Sequence, residues 1–139
     1  MATTADAGVI LELYKLRQET SLRVARKFMA FEFWPKDLED LRAVSRVPAS
    51  DKNPYWRQVL SYWEMAASLV LRGAVDPDLY LDSNGEGLFL YAKFHHWHAE
   101  TEKQSGNRFM RNTAEMIDRF PAARTTYENA RKSLQAAPK

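Results

Sequence analysis

The three histidines of this chain fall in one stretch, Tyr91-Ala92-Lys93-Phe94-His95-His96-Trp97-His98-Ala99-Glu100-Thr101-Glu102, and they are the residues best placed to do chemistry. Read as a helix, the stretch puts His95 and His98 inside an apolar arc formed by Leu88, Tyr91, Phe94 and Ala99. His96 falls on the solvated side with Lys93 and Glu100. Glu102 follows His98 by four residues and shares the inward side. Two imidazoles and a carboxylate at i, i+3 and i+7 form a spacing suited to helix-borne metal ligands. Tyr91, His95 and His98 could equally line a pocket for a small ligand. The pattern differs from the His-Glu-x-x-His of zinc proteases, whose histidines are four apart. A metal centre between helices also draws ligands from a second helix, and no Glu-x-x-His occurs elsewhere. The competing reading makes His95 and His98 core or boundary residues, hydrogen-bonded to carbonyls or carboxylates. It is preferred, because a metal site needs ligand number as well as spacing. No cofactor is therefore expected.

Two carboxylates lie at the margins of apolar faces. Glu32 stands between Phe28 and Met29 on the helical wheel, and Glu64 beside Leu60, Ala67 and Leu71. A pair of buried acids could perform acid–base work or join the histidines as metal ligands. The plainer expectation is a salt bridge from each to an arginine, with Arg23, Arg26, Arg57 and Arg124 available, since buried charges are seldom unpaired. Other chemistries lack their residues. There is no cysteine, no glycine-rich phosphate loop, no Gly-x-Ser-x-Gly and no recognisable Ser-His-Asp order. The acidic segment Asp76 to Gly87 does not fit the ligand spacing of a calcium loop. An enzyme is thus less favoured than a binding or structural role.

These residues have to be positioned by helices, and one helix organises the rest. Asn53 to Gly73 opens with Asn-Pro, a cap followed by a proline suited to the first helical position, and closes with Arg72-Gly73. Between them Trp56, Val59, Leu60, Trp63, Ala66, Ala67, Val70 and Leu71 form one face. Tyr55, Tyr62 and Leu69 widen it to about 200° of the wheel, broader than an ordinary surface stripe. A helix this apolar needs neighbours on several sides. The expectation is an all-α fold, a helical bundle of about six or seven helices around residues 54–72, forming a single helical domain over 1–139.

Breakers and periodicity place the other elements. Residues 1–7 are small and polar and are expected to fray, as are 136–139. Val9, Leu13 and Leu16, with Ile10 and Tyr14 beside them, mark a helix from Gly8 to Glu19. Thr20-Ser21 reads as a break and new cap, after which Leu22, Ala25, Phe28, Met29 and Phe33 form a stripe ended by Pro35. A short helix over 36–44 precedes the loop Ser45 to Asn53. Asp76-Pro77 starts another short helix. A longer one carries Leu88 to about Gln104 and stops at Gly106. Asn107 begins a helix whose face is Phe109, Thr113, Met116, Ile117 and Phe120, and Pro121 opens the last, with Ala123, Tyr127, Ala130 and Leu134 at helical spacing. Five of the six prolines fall at such boundaries or in the loop, and Pro138 is in the tail. No stretch alternates with period two, so no strand is expected.

Three pieces in order resemble an uncharacterised bacterial family of all-helical domains of unknown function. They are the basic helix Leu22-Arg23-Val24-Ala25-Arg26-Lys27-Phe28, the apolar helix ending in Arg72-Gly73, and Ala74-Val75-Asp76-Pro77-Asp78-Leu79. Trp97, Arg124 and Tyr127-Glu128 correspond to the family's later aromatic and arginine positions, so the resemblance spans residues 10–135. It implies an all-α fold and assigns no catalytic residue. Members often follow an N-terminal membrane helix, which this sequence does not contain.

Composition bounds the partners. Twenty basic and 18 acidic residues leave a net charge of only +2, without a dense basic run. Nucleic-acid binding through Arg23, Arg26 and Lys27 is accordingly disfavoured. Aromatics make up 12% of the chain and recur at helical spacing, which favours core packing over base stacking. No apolar run approaches the roughly 20 residues of a membrane span, and the N-terminus lacks the features of a secretory signal. The reading is a cytoplasmic, non-enzymatic helical interaction or structural module, with an unidentified protein partner or a homodimer formed through apolar stripes on the first and last helices. Its alternative is a small-ligand or metal-binding protein using the His95, His98 and Glu102 face.

Overall fold

Helix α4 (Asn53–Leu71) buries Trp56, Val59, Tyr62, Trp63, Ala66, Ala67 and Val70, the apolar face expected of it. The computed structural model describes residues 1–136, and over these the protein is all-α. Nine α-helices follow in order: α1 (Thr4–Arg17), α2 (Thr20–Lys27), α3 (Leu38–Ser45), α4, α5 (Pro77–Leu81), α6 (Glu86–Lys93), α7 (His98–Ser105), α8 (Arg111–Arg119) and α9 (Pro121–Ala136). A π-helical turn, Phe28–Glu32, extends α2, and a 3₁₀ turn, His95–Trp97, joins α6 to α7. Among the described residues there is no strand. Helix α4 packs against α2, α3, α6 and α8, while α9 lies along α6 and α8.

The count exceeds the six or seven expected because the short segments α3 and α5 both form helices and the stretch from Leu88 to Gln104 is two helices. Boundaries moved for local reasons. Helix α1 begins at Thr4, within residues expected to fray, because Thr3 and Asp6 form a reciprocal capping box. The tail expected to fray at 136–139, including Pro138, lies beyond Ala136 outside the described residues. Asn53 does not cap α4. It is buried in the first turn, donating to the Val44 carbonyl at 2.7 Å and accepting from Arg57 Nε at 2.8 Å, and so ties α4 to the end of α3. At the other end Gly73 takes φ +77°, and the Ala74 N–H reaches back to the Leu69 carbonyl at 2.9 Å.

The π turn changes which residue faces inward. Its closing bond runs from Phe33 N–H to the Phe28 carbonyl, five residues back. An α-turn would bring Glu32 beneath Phe28, but the extra residue brings Phe33 instead, and the two rings stack at 5.2 Å. Glu32 is left half-exposed, 3.7 Å from Lys27, so it is neither buried nor paired with an arginine. Phe33 contacts Trp56 and Phe94, which in turn contact Phe109, giving a continuous aromatic core across four segments.

Candidate functional site

The helical wheel fails where α6 ends. Phe94 has φ −95° and ψ 17°, and the backbone turns through His95–Trp97 before α7 resumes. Phe94 itself is 1% exposed, anchored in the aromatic core. The break leaves the Tyr91 carbonyl available, and His98 takes it, its Nε2–H donating at 2.8 Å. A carbonyl only accepts, so Nε2 carries the proton. The His98 ring also packs on Tyr91 at 4.2 Å and Phe109 at 5.1 Å. Burial pushes its pKa down to about 4, helped by the nearby charges of His95, Arg131 and Arg108 and opposed by the hydrogen bond. His98 is therefore a neutral, partly buried residue that closes a helix end.

Of the other predicted site residues, Tyr91 and His95 stay beside His98, and the carboxylates Glu102 and Glu64 are engaged elsewhere. His95 is exposed, its Nδ1 sharing a 3.1 Å hydrogen bond with the Tyr127 hydroxyl of α9. What burial it has, with Arg131 and His96 nearby, lowers its pKa. The His95 and His98 rings lie 5.5 Å apart. Tyr91 is buried between His98 and Tyr127, and burial raises its pKa. Glu102 turns to the following loop, where Oε1 accepts the Phe109 N–H at 3.1 Å. Among the described residues no three histidine, aspartate or glutamate side chains are grouped to hold a metal ion.

Glu64 has a role other than the expected arginine pair. From the middle of α4 its carboxylate accepts the N–H groups of Asn112 at 2.9 Å and Thr113 at 3.0 Å, and the Thr113 hydroxyl at 2.7 Å. These are the unpaired donors of the first turn of α8, which has no side-chain cap of its own. The Glu64 carbonyl also accepts from the Asn112 amide at 3.2 Å. A carboxylate from one helix thus caps another.

Two polar arrangements escaped the sequence reading. Glu86, at the start of α6, receives Arg26 in a fork at 2.9 and 3.1 Å and the Trp63 indole N–H at 2.9 Å, so one acid binds α2, α4 and α6 together. Its signal was Gly85-Glu86-Gly87. A Cβ at position 87 would stand 3.1 Å from Trp63 Cβ, and glycine there lets α6 approach α4. The second is Lys93, whose Nζ donates to the Met29 carbonyl left without a backbone donor where the π turn ends. Its ammonium lies 3.9 Å from the centre of the Trp34 ring and 5.5 Å from that of Phe94. Burial pushes its pKa down to about 7.

Residues 2–120 match the family described as Domain of unknown function (DUF4760), and the chain belongs to that family. The match ends at Phe120, so Arg124 and Tyr127-Glu128, which the resemblance had included, lie beyond it. No curated protein and no solved structure matches the chain. Among the described residues no helix is long and apolar enough to cross a membrane.

Proposed function

We propose that this protein is a non-enzymatic helical interaction module that pairs with a second copy of itself through the outer side of α1. The observation that carries the reading is the distribution of apolar residues around that helix. Val9, Ile10 and Leu13 pack toward the core, and the Tyr62 hydroxyl donates to the Leu13 carbonyl. Leu11, Tyr14 and Leu16 nevertheless remain 63%, 53% and 49% exposed. Large apolar side chains clustered on the outer face of a helix mark an interaction surface. The charges beside Leu11 and Tyr14 are Glu12 and Lys15, paired at 3.2 Å, and Arg17, whose guanidinium lies 5.3 Å from the Tyr14 ring centre. An antiparallel copy would set Lys15 against Glu12 in both directions, which makes the surface complementary to itself.

The candidate acids and bases support the same reading, because these side chains are each engaged in a structural contact, while Asn84 Oδ1 and Arg17 Nε are the buried side-chain polar atoms left without a partner among the described residues. Glu64 and Glu102 hold backbone N–H groups, Glu86 holds Arg26 and Trp63, and His98 and Lys93 hold carbonyls. Sedimentation equilibrium should return about twice the 16.1 kDa of one chain. Leu11→Glu combined with Tyr14→Glu should return a folded monomer. A wild-type monomer at the highest attainable concentration would refute self-association, and a dimer that survives the double substitution would refute α1 as its face.

A further inference from the structure

A cleft of about 520 Å³ lies where the C-terminal end of α3 meets the connection between α7 and α8. Its size is that of a small-molecule site. Arg46 lines it from the cap of α3, and Arg108 and Arg111 from the α7–α8 connection, with the partly buried Leu60 and the edges of the buried Trp56 and Phe109 supplying apolar surface. Arg108 is held by Asp118 at 2.7 Å. Arg46 and Arg111 are exposed, and no ion pair among the described residues includes either. Glu64 also borders the cleft, but both of its oxygens are occupied by Asn112 and Thr113. Arg46, Arg108 and Arg111 against Glu64 and the Asp118 that holds Arg108 leave the cleft with one positive charge in excess.

The same rim breaks two local rules at adjacent positions. Arg111 is the first residue of α8, where a cation opposes the helix dipole. Met110 before it has φ +44° and ψ 60°, the only non-glycine residue at positive φ among those described. The conformation is enforced from both sides. Glu102 holds the Phe109 N–H and Glu64 holds the Asn112 N–H. Departures from local preference that the surroundings hold in place concentrate at functional sites. Because Glu64 already occupies the N–H groups of α8, the arginine side chains, and not the helix end, are the available donors.

We infer that this cleft binds a small organic anion, a carboxylate or phosphate head on an apolar body. The guanidinium groups of Arg46 and Arg111 take the head, and Leu60 with the edges of Trp56 and Phe109 receives the body. Such a ligand supplies the negative charge the rim lacks and uses the fork of donors that arginine offers to oxyanions.

Titration calorimetry at fixed ionic strength, with phenyl phosphate, benzoate, inorganic phosphate and benzyl alcohol as probes, tests this. One or both aromatic anions should bind saturably, and more tightly than inorganic phosphate or the neutral alcohol. Whichever aromatic anion binds better identifies the head. Arg46→Gln and Arg111→Gln should each weaken that binding about tenfold or more. Arg72→Gln, at an exposed arginine capping α4, should leave it unchanged. Absence of saturable binding by either anion, equal binding of benzyl alcohol, or affinity unaltered in both cleft variants would overturn the inference. Nuclear magnetic resonance of the wild-type protein supplies a measurement independent of substitution. The Trp56 indole and the amides of Met110 to Asn112 should shift on adding the bound anion, and shifts confined to another surface would overturn it.

Discussion

Lowering the pH from 7 to 5 should destabilise the folded protein by about 2 kcal/mol through His98 alone. Its imidazole is held at a pKa of about 4, against an ordinary value of 6.5. Burial is the chief cause. The groups facing it are the His95, Arg108 and Arg131 charges, the aromatic rings of Tyr91 and Phe109, and the Tyr91 carbonyl that accepts from it. Because the folded pKa lies below the unfolded one, the unfolded chain binds the extra proton between pH 6.5 and 4. Stability is thus fully present above 6.5 and lost as pH falls through that window. Each pKa unit corresponds to about 1.4 kcal/mol, so the loss approaches about 3 kcal/mol below pH 4, with about 2 kcal/mol of it reached by pH 5. Urea denaturation of wild type and His98→Gln at pH 7, 6 and 5 isolates this contribution. Glutamine keeps an N–H for the Tyr91 carbonyl but does not titrate. The wild type should lose about 2 kcal/mol more than the variant over that range. Superimposable pH profiles would show that His98 is as free to protonate in the folded state as in the unfolded chain, and would refute its neutral helix-end role.

Trp63 is 1% exposed and bonded to Glu86, so Trp63→Ala should cost about 3–5 kcal/mol in denaturant midpoint analysis. A loss under about 1 kcal/mol would contradict its burial. Glu64→Gln puts an amide N–H where an acceptor is needed and should cost about 1–3 kcal/mol, with helical signal lost on denaturant addition at lower concentration. Unchanged stability would mean that the first turn of α8 finds other acceptors. Lys93, its pKa lowered to about 7 by burial, should carry far more neutral amine at neutral pH than an ordinary lysine. Peptide mapping after brief acylation at pH 7.5 should show Lys93 modified ahead of Lys15 and Lys36, and slower modification than either would refute the lowered pKa.

The architecture was legible where periodicity and capping agree. The core of α4 and the stripes of α2, α8 and α9 follow from apolar spacing, and Asp76 caps its helix at the Leu79 N–H as Asp76-Pro77 implies, whereas Asp37, inside the helix expected over 36–44, stands before α3 as its cap. What was not legible depended on departures from an ideal helix. A wheel assumes 100° per residue, and it places Glu32 correctly only without the π turn and His95 correctly only without the 3₁₀ turn. Neither turn contains proline or glycine, the residues that announce a break. Both occur where an aromatic residue, Phe33 or Phe94, is drawn into the shared aromatic core. The partners of Glu64 and Glu86 were hidden for a related reason. Their contacts join segments 48 and 60 residues apart, and a local pattern carries no record of such distance.

The cap that Glu64 provides for α8 also bears on the order in which the chain can fold. Nine residues beginning with an arginine, preceded by a left-handed methionine and lacking a cap of their own, are too short to hold helical form in isolation. Helix α4, with 19 residues and proline in its first turn, is far better able to nucleate independently. Formation of α8 must therefore wait on α4, and a loop of some 48 residues has to close before its first turn is satisfied. Such dependence couples the late part of the chain to the early part. A fragment beginning after α4 should remain largely unstructured, and the intact chain should lose both segments in one cooperative transition.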